Sequence, residues 1–117
     1  MKESKEIIGK TIRISNIEVA ENDFPKTMFW YDAKVTCTKL GDGWRLPTKE
    51  ELNILYLNKD IIGGFSDNFY WSSIDGDNDF REVDVSWGQS FDNGNQRVAT
   101  EFTTGYFRAV RFSNFLK

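Results

Sequence analysis

The sequence predicts an α+β fold, with its helices early and a mainly antiparallel sheet late, and three stretches carry that reading. The first is Gly41-Asp42-Gly43-Trp44-Arg45-Leu46-Pro47-Thr48-Lys49-Glu50-Glu51-Leu52, a constrained loop that runs into a helix start. Pro47 holds Leu46 in extended backbone. Thr48 offers a hydroxyl to cap the helix, and Glu51 stands three residues on, where a capping box needs its carboxylate. The second is the period-two alternation around Val83, Val85 and Trp87, repeated from Tyr106 to Phe112. The third is Asn93-Gly94, the dipeptide that best accepts the positive φ angles of a tight hairpin turn.

Taken in order, residues 7–20 alternate weakly. Ile12 and Ile14 share one parity and Ile17 and Val19 the other, with Ser15-Asn16 between them, which fits two short strands or one bent strand. Glu21-Asn22-Asp23 reads as a turn, and Phe24-Pro25 as extended backbone leading to the next element. Trp30, Ala33, Cys37 and Leu40 recur at helical spacing, and Gly41 follows as a stop. The helix opened by Thr48 sets Leu52, Leu55 and Tyr56 on one face, carries Glu50 and Glu51 where the helix dipole favours negative charge, and should fray near Asn58-Lys59. Beyond Gly63-Gly64, Tyr70-Trp71-Ser72-Ser73 reads as a short strand, followed by the polar loop Asp75-Gly76-Asp77-Asn78-Asp79. Val83, Val85 and Trp87 then alternate with Glu82, Asp84 and Ser86, as in a half-buried antiparallel strand. Phe91 to Asn95 closes a hairpin, and the last strand sets Tyr106, Arg108, Val110 and Phe112 on one face against Phe107, Ala109 and Arg111 on the other. No repeat and no second domain is found, so one domain spanning 1–117 is expected.

Composition narrows the function classes. A chain of 117 residues hides roughly 65% of the surface it would expose unfolded, enough for one core. An aromatic share of 15% makes that core stiff, because large rings bury much area for little rotamer entropy. A net charge of −3 with no basic block argues against a surface that tracks phosphates, so nucleic acid is not an expected partner. Cys37 is the single cysteine, so no internal disulfide forms and packing must hold the fold. The charged start is followed by no apolar run of signal-peptide or membrane-spanning length, so membrane insertion is not expected. These residues carry no address that decides location: cell surface or secreted if a leader has been removed, otherwise cytoplasmic.

Several motifs occur together in fixed order: Trp30-Tyr31-Asp32-Ala33 with Cys37, Gly43-Trp44-Arg45-Leu46-Pro47-Thr48 with Glu51-Leu52, Tyr70-Trp71-Ser72-Ser73, Phe91 with Asn93-Gly94, and Arg108-Ala109-Val110-Arg111. Through them the chain, over residues 17–113, resembles the bacterial domain family typified by the C-terminal domain of the Legionella collagen-like adhesin. The resemblance implies a C-type-lectin-like fold, distantly similar to that of the formylglycine-generating, sulfatase-modifying proteins, with two helices beside a twisted antiparallel sheet and long loops. It implies an adhesive or ligand-binding module and supplies no catalytic residues; the alternative expectation is a structural or accessory domain of a larger envelope protein. Phe29 departs from the Thr common before the first helix, which forgoes a side-chain cap typically worth ~1 kcal/mol. Residues 97–105 are more apolar than the Asn/Lys-rich segment usual in the family.

The candidate chemistry is sparse. The chain has no His, which excludes Cys-His and Ser-His pairs, and Cys37 lies on an apolar helix face where a thiol acts as a small hydrophobe. A single cysteine also cannot build the cysteine-based copper site on which formylglycine generation depends. Asp75, Asp77 and Asp79, with Asp84 nearby, could hold Ca²⁺ weakly or form a solvated acidic turn. Phe80 and Ser86 stand where an EF-hand loop needs Gly and a bidentate Glu. The Glu-Pro-Asn and Gln-Pro-Asp loops of sugar-binding C-type lectins are absent, the only prolines being Pro25 and Pro47. No carboxylate pair stands out for hydrolysis: Glu50 and Glu51 are explained by the helix start, and Glu82 and Asp84 by a strand's polar face. Arg45, Arg108 and Arg111 lie among apolar residues and read as a structural clamp between the central loop and the last strand, with Asp42 or Asp32 as partner. Trp30, Trp44 and Trp71 read as core. Trp87, Gln89 and Asn95, beside the hairpin turn, are the expected contacts of a glycan or protein ligand on a loop-rich face spanning 75–97, with core the competing reading for Trp87.

Overall fold

The computed structural model describes residues 2–75 and 85–113. Helix α1 (Lys2–Ile8) leads into β1 (Ile12–Ile14), β2 (Ile17–Val19) and β3 (Met28–Phe29), then α2 (Trp30–Thr38), α3 (Lys49–Leu57) and α4 (Lys59–Ile62). Strands β4 (Phe69–Asp75), β5 (Val85–Ser90), β6 (Gln96–Thr100), β7 (Thr104–Gly105) and β8 (Val110–Phe112) follow. Helix α1 lies where the sequence reading has no element. Its sequence is mostly charged, and it is held by Ile7, which is buried, and by Ile8, which packs against the same cluster.

The strands form three small sheets, β1-β2-β8, β3-β7 and β4-β5-β6, and every ladder is antiparallel. Two isolated bridges join them to the rest: Tyr70 to Tyr106 in parallel, and Arg45 to Val110 antiparallel. The chain is thus closed near its two ends, with Ile17, Glu18 and Val19 opposite Phe112, Arg111 and Val110. Ser15 takes a positive φ of 56° in the tight link between β1 and β2, which settles the weak alternation of 7–20 as a hairpin.

Two apolar clusters organise the interior. One, backed by α2, gathers Ala33, Cys37, Trp44, Leu46, Trp71, Phe107 and Ala109; the other, backed by α3, gathers Val19, Leu52, Leu55, Tyr70, Phe91 and Val110. Consecutive residues of the central segments go to opposite clusters: Tyr70 to the second and Trp71 to the first, Phe107 and Ala109 to the first and Val110 to the second. The period-two pattern of 106–112 is therefore present, but both of its faces are covered over 107–110, and the ladder shrinks to the three residues of β8. Strand β5 departs from half-burial for the same reason, since Val85, Ser86, Gly88 and Gln89 are all buried. Gly88 is required there: a Cβ would lie 2.3 Å from the Phe69 ring and 2.4 Å from the Tyr70 carbonyl oxygen.

The helix starts follow the local chemistry. Thr48 Oγ1 accepts from the Glu51 N–H at 3.1 Å and Glu51 Oε1 accepts from the Thr48 N–H at 2.9 Å, a complete capping box. Phe29 precedes α2 without a side-chain cap. The α2 start is held instead by tertiary contact, the Trp30 indole donating to the Ser72 carbonyl at 2.8 Å. Helix α3 ends at Leu57 and the chain turns at Asn58 into α4, the place where fraying is expected.

Candidate functional site

Three polar constellations stand out, and they differ in burial. The deepest centres on Arg108, whose side chain has no exposure at all. Its Nε donates to Asp23 Oδ1 at 2.7 Å, and its two Nη groups donate to the carbonyls of Ala20 and Gly63 at 3.2 Å each. The guanidinium carbon sits 4.0 Å from the centre of the Phe65 ring. The Tyr70 hydroxyl donates to Asp23 Oδ2 and accepts from the Ser66 N–H at 2.7 Å. Burial pushes the Asp23 carboxyl above the usual carboxylate range, while Arg108 and Tyr70 pull it back. Burial, with Asp23 beside it, also pushes the Tyr70 phenol up, so the hydroxyl stays a donor. Every group in this chain of bonds is satisfied, which is what a buried charge requires.

The second constellation is the corner where the Trp-Arg-Leu-Pro loop meets β8. Arg45 exchanges backbone hydrogen bonds with Val110 at 2.8 and 2.9 Å, and its guanidinium grips Glu51 at 2.7 and 3.0 Å in a bidentate pair. Arg111 bonds Glu18 at 2.8 Å and the Asp42 carbonyl at 3.2 Å. Each arginine also stacks on a ring from the other side of the joint, Arg45 on Phe112 at 4.8 Å and Arg111 on Trp44 at 4.5 Å. Burial works against ionisation of Glu51, but the hydrogen bonds from Arg45 and Thr48 outweigh it and hold the carboxyl below its ordinary value. The carboxylate partners are thus Glu51, Asp23 and Glu18, not Asp42 or Asp32: Asp42 contributes only its backbone carbonyl to Arg111, and Asp32 is exposed on the first turn of α2.

The third constellation joins α3 to the β5–β6 hairpin. Gln89, fully buried, donates through Nε2 to Asn53 Oδ1 at 2.9 Å and to the Gly94 carbonyl at 3.0 Å. Gln96 donates through Nε2 to the Lys49 carbonyl at 2.9 Å and to Gln89 Oε1 at 3.2 Å. The Lys49 ammonium lies 3.6 Å from the centre of the Trp87 ring, a cation–π contact on a half-buried tryptophan. Gly94 takes a φ of 85° and lies so close to Tyr56 that a Cβ would fall 2.6 Å from its ring.

The sequence-derived residues sort accordingly. Trp87 is half-buried and Asn95 exposed, on the same hairpin. Gln89 lies beneath them, with both ends of its amide engaged and no surface to offer a ligand; its role is to fasten the hairpin. Trp44 and Trp71 are buried, and Trp30 is partly so. Burial pushes the Cys37 thiol far above its ordinary range, so no thiolate nucleophile is available there. Asp77, Asp79 and Asp84 lie outside the described residues, as does the Asp75 side chain. Among the described residues, no group of three or more His, Cys, Asp or Glu side chains is placed to hold a metal, and no helix is long and apolar enough to cross a membrane. Lys49 and Asn53 escape the sequence reading, and only their helical spacing on one face of α3 signals them; Gln96 falls within the loop-rich face expected over 75–97.

No protein-family profile matches the chain, and no curated protein matches it in sequence. Solved structures do match, over nearly its full length. Botrocetin superposes with a TM-score of 0.68 at 14% identity, covering 90% of this chain and 98% of its own. A complex of a von Willebrand factor A1-domain mutant with botrocetin gives 0.62 at 14% identity, covering 90% and 98%. EMS16, an antagonist of the collagen receptor integrin alpha2beta1, gives 0.65 at 10% identity, covering 88% and 97%. These are snake-venom C-type-lectin-like proteins, and the fold of this chain is C-type-lectin-like and α+β. The likeness to the bacterial adhesin family rests on the ordered sequence motifs alone.

Proposed function

We propose that this chain is a non-catalytic recognition module that binds a protein partner through the face formed by α3 and the β5–β6 hairpin. The observation that carries the reading is the state of Trp87. It is a large ring left half-buried on a hairpin that is otherwise fastened down, and half-buried aromatics on rigid supports are the usual anchors of binding surfaces. The buried thiol of Cys37 and the lack of any His argue against nucleophilic catalysis. Botrocetin, solved in complex with a von Willebrand factor A1 domain, and EMS16, an integrin antagonist, are same-fold proteins that engage protein partners, which favours a protein ligand here. The ordered motifs, by their resemblance to the adhesin family, favour an adhesion-type role.

A glycan is the second reading, favoured by the exposed amides of Asn95 and Gln96 on the hairpin that carries Trp87. Glycan-array and protein pull-down screens separate the two. The hit in either screen disappears in Trp87→Ala while the melting temperature stays within a few degrees of the parent. A variant that unfolds instead makes Trp87 a core residue and removes this face from consideration. A calcium titration of the melting temperature tests the acidic run Asp75–Asp79 separately, since an ion bound only by the folded chain raises stability by mass action.

A further inference from the structure

The amides at the α3–hairpin joint are oriented by two backbone carbonyls. A carbonyl oxygen can only accept, so the Gly94 carbonyl forces Gln89 to present Nε2, and the Lys49 carbonyl forces the same of Gln96. Gln89 Nε2 in turn fixes Asn53 Oδ1 inward, which leaves Asn53 Nδ2 as an outward donor on an exposed side chain. One helical turn earlier on the same face, Lys49 holds its ammonium over the Trp87 ring, with no carboxylate within ion-pair distance among the described residues. One turn later comes Leu57, 70% exposed and without an evident structural reason for being there. The stripe therefore runs cation, amide donor, apolar side chain, at positions i, i+4 and i+8.

Resting on the recognition role proposed above, we infer that the partner presents an extended acidic segment. Its Asp or Glu carboxylate accepts from Lys49 Nζ and Asn53 Nδ2, and an apolar side chain further along covers Leu57. A carboxylate shared by Lys49 and Asn53 sits about level with residue 51, from which the helix axis runs about 9 Å to Leu57 at ~1.5 Å per residue, a span an extended peptide covers in about three residues at ~3.3 Å each. The acidic and apolar anchors of the partner are accordingly spaced by about three residues.

The test uses capped, fluorescein-labelled 12-residue peptides carrying one Glu and one Leu separated by one to seven residues, with a matching series in which Lys replaces Glu. Anisotropy titration of the whole chain at low salt gives the tightest binding near a spacing of three, at least tenfold weaker binding for the Lys series, and weakening as salt is raised. Asn53→Asp keeps the oxygen that Gln89 needs but replaces the outward donor by a negative charge. It costs at least tenfold in Glu-peptide affinity with no loss of melting temperature, and Lys49→Gln does the same. Equal binding of both series, full affinity in Asn53→Asp, or capture of a sulfated polysaccharide in place of every Glu peptide overturns the inference. If those outcomes occur while Trp87→Ala still abolishes capture of a protein partner, the recognition role stands and only the acidic chemistry of that partner is wrong.

Discussion

The Arg108 centre and the α3–hairpin joint are both polar networks set against the same apolar cluster, yet they are built in opposite ways. Arg108 is a full charge with no solvent contact, bonded to Asp23 and two carbonyls, and its neighbours leave nothing unpaired. The joint uses neutral amides inside and keeps its one cation, Lys49, at the rim over Trp87. A buried charge has one tolerable arrangement, so the first network fixes the chain path between residue 23 and residue 108. A neutral amide chain costs less to open, and it leaves donors facing outward. The first network thus holds the scaffold with no polar group to spare, and the second fastens the hairpin while leaving donors at the surface.

The largest expected effect breaks the first network. Asp23→Ala strands a buried guanidinium and destabilises by about 3–5 kcal/mol. Asp23→Leu combined with Arg108→Met recovers much of that loss, because no charge is then left without a partner. Urea denaturation of the three proteins decides it, and a single variant that loses less than ~1 kcal/mol would show that water reaches Arg108. Gln89→Ala probes the joint. The Gly94 carbonyl and the Asn53 and Gln96 amides lose a partner, which costs about 1–3 kcal/mol by the same measurement. Should it match Asp23→Ala, the contrast between the two networks fails.

How far the sequence revealed these regions depends on the range of each interaction. The capping box spans three residues, and the roles of Thr48 and Glu51 as cap residues are legible in the local pattern. That Glu51 also holds Arg45 is less visible, because its cap role already accounts for it. The partners of Arg108 and Arg111 lie 85 and 93 residues away, and only the topology that sets β2 beside β8 brings them together. Asp23 sits in a Glu-Asn-Asp run that resembles a solvated turn. Gln89 misleads for a related reason: a glutamine beside an Asn-Gly turn looks exposed until α3 is folded over it. Helix α1 is hidden by its charge, since one buried isoleucine leaves no periodic signal.

A smaller effect sharpens the role of the corner. The Glu51 carboxyl is held below its ordinary value of 4.5, so its contribution to stability is fully present above that pH and is lost as the pH falls through the depressed value. Glu51→Gln keeps the cap but not the ion pair. The melting-temperature gap between it and the parent is widest above pH ~4.5 and closes on further acidification. A gap that widens toward low pH contradicts the assignment. Trp87→Ala, removing a half-buried ring from the rim, has the smallest effect on stability, within about 1 kcal/mol.

The separation of scaffold from surface is tested most directly by the four indole N–H signals in a ¹H–¹⁵N correlation spectrum, followed while a bound partner or peptide is added. The Trp87 signal shifts, while those of Trp30 and Trp71, bonded internally to the Ser72 and Met28 carbonyls, stay in place. A titration in which the Trp87 indole is unmoved while the backbone N–H signals of the exposed Phe29 and Tyr31 in the same spectrum respond would contradict the account and move the proposed recognition surface to the start of α2.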